Sequence, residues 1–129
     1  MSGRYLLDTN IIIGLFSGEA HIKSRLADVD EVFISVIVLG ELYYGARKSR
    51  QGPKNVARIE TLALKSSTLP CDRETARHYG VIKNQLRKQG KPIPENDIWV
   101  AANAMQHDLV LVTRDNHFAA IEGLKLAMW

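Results

Sequence analysis

The chain has almost no cysteine. Cys71 is the only one in 129 residues, which excludes an internal disulfide and leaves no cysteine pair to ligate a metal. Following Leu69-Pro70, it reads as a small apolar residue at a strand end. No apolar run reaches the roughly 18 residues that a membrane span needs. The N-terminal stretch lacks the basic-then-apolar pattern and cleavage site of a secreted chain, so a cytoplasmic location is expected. Low-complexity tracts, internal repeats and linkers are also missing. Residues 1–129 therefore read as a single domain with enough chain for a core. The four histidines, His21, His78, His107 and His117, show no metal-ligand spacing and read as surface or core-edge residues.

Apolar residues make up 46% of the chain, and its formal net charge is +3. The first figure fits a globular protein. The second is a mild excess, compatible with a nucleic-acid partner without requiring one.

Short apolar strands alternate with helical periodicity. Strands are expected at Tyr5–Asp8, Val32–Ser35, Thr68–Cys71, Leu109–Thr113 and Leu124–Ala127. Leu109–Thr113 has no polar alternation, as a central parallel strand covered on both faces requires. Asn10 is the expected N-cap of a helix to Phe16 whose residues leave almost no polar face. Further helices are expected at Glu19–Ala27, from Ser35 to Tyr44 or Ala46, and at Val56–Leu64. Asp72 should cap a long helix, Arg73–Gln89, with Ala76, Tyr79, Ile82 and Leu86 as its apolar stripe and Gly90 and Pro92 at its end. Another helix opens near Pro94 and runs to about His107, and a short one spans His117–Ile121. The alternation implies an α/β fold, with a central, mostly parallel sheet of about five strands flanked by helices.

Four acids fall at strand ends or helix faces: Asp8 after the first strand, Glu41 among Leu39, Leu42 and Tyr43, Asp97 in a helix's first turn, and Asp115 two residues past Thr113. Each alone has an ordinary reading. Asp97 favours a helix dipole, and Asp8 or Asp115 can cap a turn. Glu41 is harder to dismiss, because a carboxylate on an apolar helix face needs a partner or a cation. In an open α/β sheet, functional residues gather beyond the carboxyl ends of the strands. Acids gathered there repel one another, and an oxygen-rich set of this kind suits Mg²⁺ or Mn²⁺.

The segments LLDTN at Leu6–Asn10, ISVIVLGELYYG at Ile34–Gly45, IPENDIWVAANA at Ile93–Ala104 and LVTRDNHF at Leu111–Phe118 together resemble the PIN-domain family. In particular the chain is similar to the VapC-type ribonuclease toxins of toxin–antitoxin pairs. The resemblance covers Tyr5 to Leu126 and implies a metal-dependent endoribonuclease. Asp8, Glu41, Asp97 and Asp115 would be its catalytic and metal-holding acids, with Glu41 as ligand or base. Thr9, Asn10, Thr113 and Asn116 match supporting positions less securely. Val38 departs from the family, whose members often carry Thr one turn before the glutamate. Implied too are Mg²⁺ or Mn²⁺ as cofactor, hydrolysis by metal-activated water, tRNA or rRNA as substrate, a VapB-like antitoxin, and a homodimer or larger toxin–antitoxin assembly.

Basic residues cluster at Arg47–Arg58 and again from Arg73 to Lys91. As a set near an acidic site they could position RNA phosphates, with Arg114, Arg77 and Lys88 the candidates named first. Tyr79 and Trp99 read as core. The helix Ile11–Phe16, with Tyr43, Tyr44 and Trp129, could form an interface. Two competing readings stand beside the nuclease. A silent RNA- or protein-binding PIN module would have no reason to keep four mutually repulsive acids. A phosphatase with an aspartate nucleophile usually carries Asp-x-Asp after its first strand, where this chain has Asn10.

Overall fold

A computed structural model describes residues 3–129. Five strands form one sheet in the order β3-β2-β1-β4-β5: β1 is Arg4–Leu7, β2 Glu31–Ser35, β3 Ser67–Leu69, β4 Val110–Thr113 and β5 Lys125–Met128. Every pairing is parallel, with Leu6 opposite both Phe33 and Leu111. Helices cover the sheet: α1 (Thr9–Phe16), α2 (Ala20–Ala27), α3 (Val36–Lys48), α4 (Gly52–Leu64), α5 (Arg73–Gln89) and α6 (Glu95–Gln106), with a 3₁₀ turn at Asn116–Ala120. Leu6, Leu7, Ile34, Leu111 and Val112 are fully buried, so the uninterrupted apolar runs lie under helices on both faces. The expected fold class is the observed one. Among the described residues, no helix is long and apolar enough to cross a membrane.

Several local expectations change. β3 stops at Leu69 instead of Cys71, because Pro70 has no N–H to continue the ladder. Cys71 is consequently exposed. In α5 the inward position is Thr75, fully buried, and Ala76 faces out. The cause is the cap. Asp72 Oδ1 accepts from the Thr75 N–H at 3.1 Å, and Thr75 Oγ1 accepts from the Asp72 N–H at 3.0 Å, a reciprocal pair that turns Thr75 inward. Gly90 closes α5 at φ 66°, a left-handed conformation that costs glycine nothing. In α1, Ile11 and Ile12 are buried, whereas Ile13 is 54% exposed. Tyr79 and Trp99 are half-buried and stack on each other, ring centroids 4.2 Å apart, which joins α5 to α6.

One buried polar knot sets the position of α6. Asn103 has no exposed surface. Its Oδ1 accepts from Ser35 Oγ at 2.6 Å, and its Nδ2 donates to the Pro70 carbonyl at 3.1 Å. The end of β2, the loop after β3 and the middle of α6 thus share one side chain. Removing it strands buried partners, each costing about 1–3 kcal/mol. We expect Asn103→Ala to lower unfolding stability by at least about 2 kcal/mol on that basis, read as a lower urea midpoint with unchanged slope. A midpoint equal to the parent's would show that the knot is dispensable.

Candidate active site

The chain leaves β1 toward β2 and β3 on one side, then returns to β4 and β5 on the other. The β1/β4 boundary is therefore the switch point, where parallel sheets open a crevice beyond their carboxyl ends. Asp8 is the residue after β1 and Asp115 lies just past β4. Glu41 arrives on α3, and Asp97 on the first turn of α6. All four line one cleft of about 530 Å³.

Asp8 is 3% exposed and anchors the group. Its Oδ1 accepts from the Thr9 N–H at 2.9 Å, so Asp8, not Asn10, caps α1. Its Oδ2 accepts from Thr113 Oγ1 at 2.7 Å, and Thr113 Oγ1 in turn accepts from the Asp115 N–H at 3.1 Å. Asn10 is freed from capping and bridges strands instead. Its Nδ2 lies 3.4 Å from Asp8 Oδ2, Thr113 Oγ1 and Asp115 Oδ2, while its Oδ1 accepts from the Arg114 N–H at 3.3 Å. Thr9 Oγ1 donates to Glu41 Oε1 at 2.8 Å. Three of the supporting residues thus touch the acids directly. Asn116 is exposed and starts the 3₁₀ turn, with no hydrogen bond to the acids among the described residues.

His117 is the residue that the sequence reading set aside. Its Nε2 lies 2.8 Å from Asp97 Oδ2. Ligand atoms of Asp97, Asp115 and His117 all fall within 4.8 Å of one another. No spacing rule connects positions 97 and 117. The available signal was proximity in sequence to Asp115, on a turn anchored by the fully buried Phe118.

Residues 5–124 match the PIN domain. The chain belongs to the PIN-domain family. Ribonuclease VapC2 of Haemophilus influenzae is 38% identical to it over 98% of each chain. The tRNA(fMet)-specific endonuclease VapC of Shigella flexneri is 35% identical, again over 98% of each. Among solved structures, DNA-bound VapBC from Salmonella typhimurium matches with a TM-score of 0.91 and 32% identity, covering 100% of this chain and 99% of that one.

The basic residues of this PIN domain are placed differently from the sequence expectation. The Arg114 guanidinium binds Glu19 at 2.6 and 3.1 Å and the Trp129 carbonyl at 3.1 Å, so only its backbone N–H joins the site. Arg77 pairs with Glu74 on its own helix, and Lys88 sits with Glu122 in a separate depression. Neither lines the acid cleft. Among the described residues, no lysine or arginine does.

Electrostatic strain follows. Burial raises the Asp8 carboxyl above its usual value, Asp115 and Glu41 add to the rise, and the bonds from Thr113 and Thr9 oppose it. Asp97 is raised by burial, then by the Asp8 charge, against the bond to His117. The folded protein therefore holds these protons more tightly than the unfolded chain. The stability so gained is complete below the ordinary value of 3.8 and is lost as pH rises through the higher folded values. Asp8→Asn stays neutral and can still cap α1. In chelator the variant should melt at the parent's temperature below about pH 4 and above it at pH 7, by about 4 °C for each kcal/mol relieved. Thermal melts across that range test this. A variant that melts lower at neutral pH in chelator would contradict the strained-carboxylate picture.

Proposed function

We propose that this PIN domain is a divalent-metal-dependent endoribonuclease, the toxin of a toxin–antitoxin pair acting in the cytoplasm. One observation carries the reading: Asp8, Glu41, Asp97 and Asp115, with Glu95 at the rim, share a cleft with no lysine or arginine lining it among the described residues. Such a set lacks its counter-charge, and a hard dication fits an all-oxygen donor group with one imidazole at its edge. Asp8, Asp97 and Asp115 would hold Mg²⁺ or Mn²⁺, with Glu41 and His117 beside them. Bound there, the cation would make water acidic enough to attack a phosphodiester and would stabilise the leaving oxygen.

The chain's own residues do the positioning. Thr113 and Asn10 fix Asp8 against Asp115, so the acids from β1 and β4 keep one spacing. With Asp97 ionised, the His117 ring N–H is the donor between them, and it holds one carboxylate oxygen in place. Thr9 occupies Glu41 Oε1, whereas Oε2 has only a 3.5 Å contact with Asn96. That freer oxygen is suited to take the proton from the attacking water. A silent binding module has less support, since nothing in binding alone requires four repelling acids.

The relatives narrow the substrate and partners. A tRNA-specific endonuclease at 35% identity supports tRNA, with rRNA the alternative. The VapBC complexes among similar structures support a small VapB-like antitoxin. Ile13 and Tyr44, 54% and 65% exposed, supply apolar surface for a homodimer or antitoxin contact.

Purified protein should cleave RNA with Mg²⁺ or Mn²⁺, stop in EDTA, and lose cleavage in Asp97→Asn with its fold retained by circular dichroism. Water attack predicts 5′-phosphate and 3′-hydroxyl ends. Fragments that accept kinase label without prior phosphatase, beside 2′,3′-cyclic phosphates, or full activity in chelator, would sink the mechanism. Light scattering checks the dimer, and a monomer at micromolar concentration would count against it.

A further inference from the structure

Next to Glu95, the acid cleft meets a second groove of about 310 Å³ at the end of α5. Its floor includes the buried Leu86 and Ile98, and its rim carries Lys83, Arg87 and Lys91. Glu95 lines both spaces and separates them. Its carboxylate is already satisfied by the Lys83 ammonium and the Tyr79 hydroxyl. The Tyr79–Trp99 stack holds that hydroxyl in place. Arg87 and Lys91 have no carboxylate partner among the described residues. Three cations against one acid leave the groove positive where the neighbouring cleft is negative.

A polyanion cannot rest on a cleft lined by carboxylates alone. Its phosphates must be held on a flank, where cations are free and close. Three basic residues elsewhere are already engaged. Arg58 donates to the Phe16 carbonyl with its guanidinium over the Phe16 ring, Arg114 is bound by Glu19, and Arg77 is paired with Glu74. Arg87 and Lys91 are uncommitted and contiguous with the cleft.

We propose that this groove is the RNA-backbone track of the enzyme, in which Arg87 and Lys91 bind phosphates flanking the scissile bond. The proposal rests on the ribonuclease reading. It gives the strand its direction of approach, across Glu95 from the end of α5, and it assigns the apolar floor to sugar or base faces. Lys83 contributes by neutralising Glu95, so the strand meets no uncompensated acid before the catalytic cleft. This is a phosphate contact, which fixes register without reading sequence.

The test uses the full chain carrying Asp97→Asn, so that bound RNA stays intact. Binding of a fluorescein-labelled single-stranded RNA is followed by anisotropy over a salt series with Mg²⁺ present. Each phosphate contact to a single strand contributes about 0.7 to the slope of log affinity against log salt. Adding Arg87→Ala and Lys91→Ala should therefore lower the slope by about 1.4, and Arg87→Lys with Lys91→Arg should largely restore it. Both positions are exposed, and melts verify the fold. In the active protein the loss should fall on KM rather than kcat. An unchanged slope, or a larger change from Arg77→Ala with Lys88→Ala, overturns the track. Binding with the expected slope by a parent that never cleaves RNA would uphold the track and remove the ribonuclease reading.

Discussion

Asp8 is a carboxylate held almost out of water at the end of a central strand, and much of the site is arranged around keeping it there. A buried charge is tolerated only when hydrogen-bonded and countered. Thr9 and Thr113 supply the hydrogen bonds, from the start of α1 and the end of β4. The counter-charge is not protein-borne among the described residues. Each further acid makes the deficit worse, since Asp115 and Glu41 both push the Asp8 carboxyl upward. The fold therefore carries a strained set of groups that a dication would relieve, and the same strain concentrates negative potential where a metal would bind.

Topology explains why these acids can meet despite a separation of more than a hundred positions between Asp8 and Asp115. Parallel strands point the same way, so their carboxyl ends lie at one edge. The reversal of strand order at β1/β4 leaves a gap there that no crossover helix fills. Helices then bring Glu41 and Asp97 to the same edge. The Asn103 knot acts at a second level. It ties the end of β2 to α6 and so limits where Asp97 can sit. The helix that carries Asp97 is thus held by a buried amide that does not line the acid cleft.

Much of this was legible in the residues. The unbroken Leu109–Thr113 run pointed to a central strand, and β4 lies between β1 and β5. The caps Asp72 and Gly90 bounded α5 at Arg73–Gln89, because both act within the local backbone. What failed was long-range or side-chain-specific. Asn10 resembles a cap by type, but its amide is drawn to β4 by partners more than a hundred residues away. Ala76 looked inward as the first member of an apolar stripe, yet the capping box turned Thr75 in. His117 escaped because its partner, Asp97, lies on another element. Arg114 was placed by adjacency to Asp115, but it lies past the end of β4, and its guanidinium found Glu19 and the Trp129 carbonyl instead.

The charge distribution ties these levels together. A chain with net charge +3 could have spread its cations evenly, but the acid cleft excludes them among the described residues. Two nearby cations are committed to local partners: Arg114 to Glu19 and Lys83 to Glu95. Those commitments matter. A lysine free to swing into the cleft would neutralise the acids and compete with a metal at the same oxygens. Holding Lys83 on Glu95 keeps a positive charge beside the cleft without letting it enter. The Tyr79–Trp99 stack stiffens that arrangement by joining the α5 side chain to the helix that carries Asp97. Separating a cationic flank from an anionic centre requires rigid anchoring at their boundary, and the α5–α6 contact supplies it.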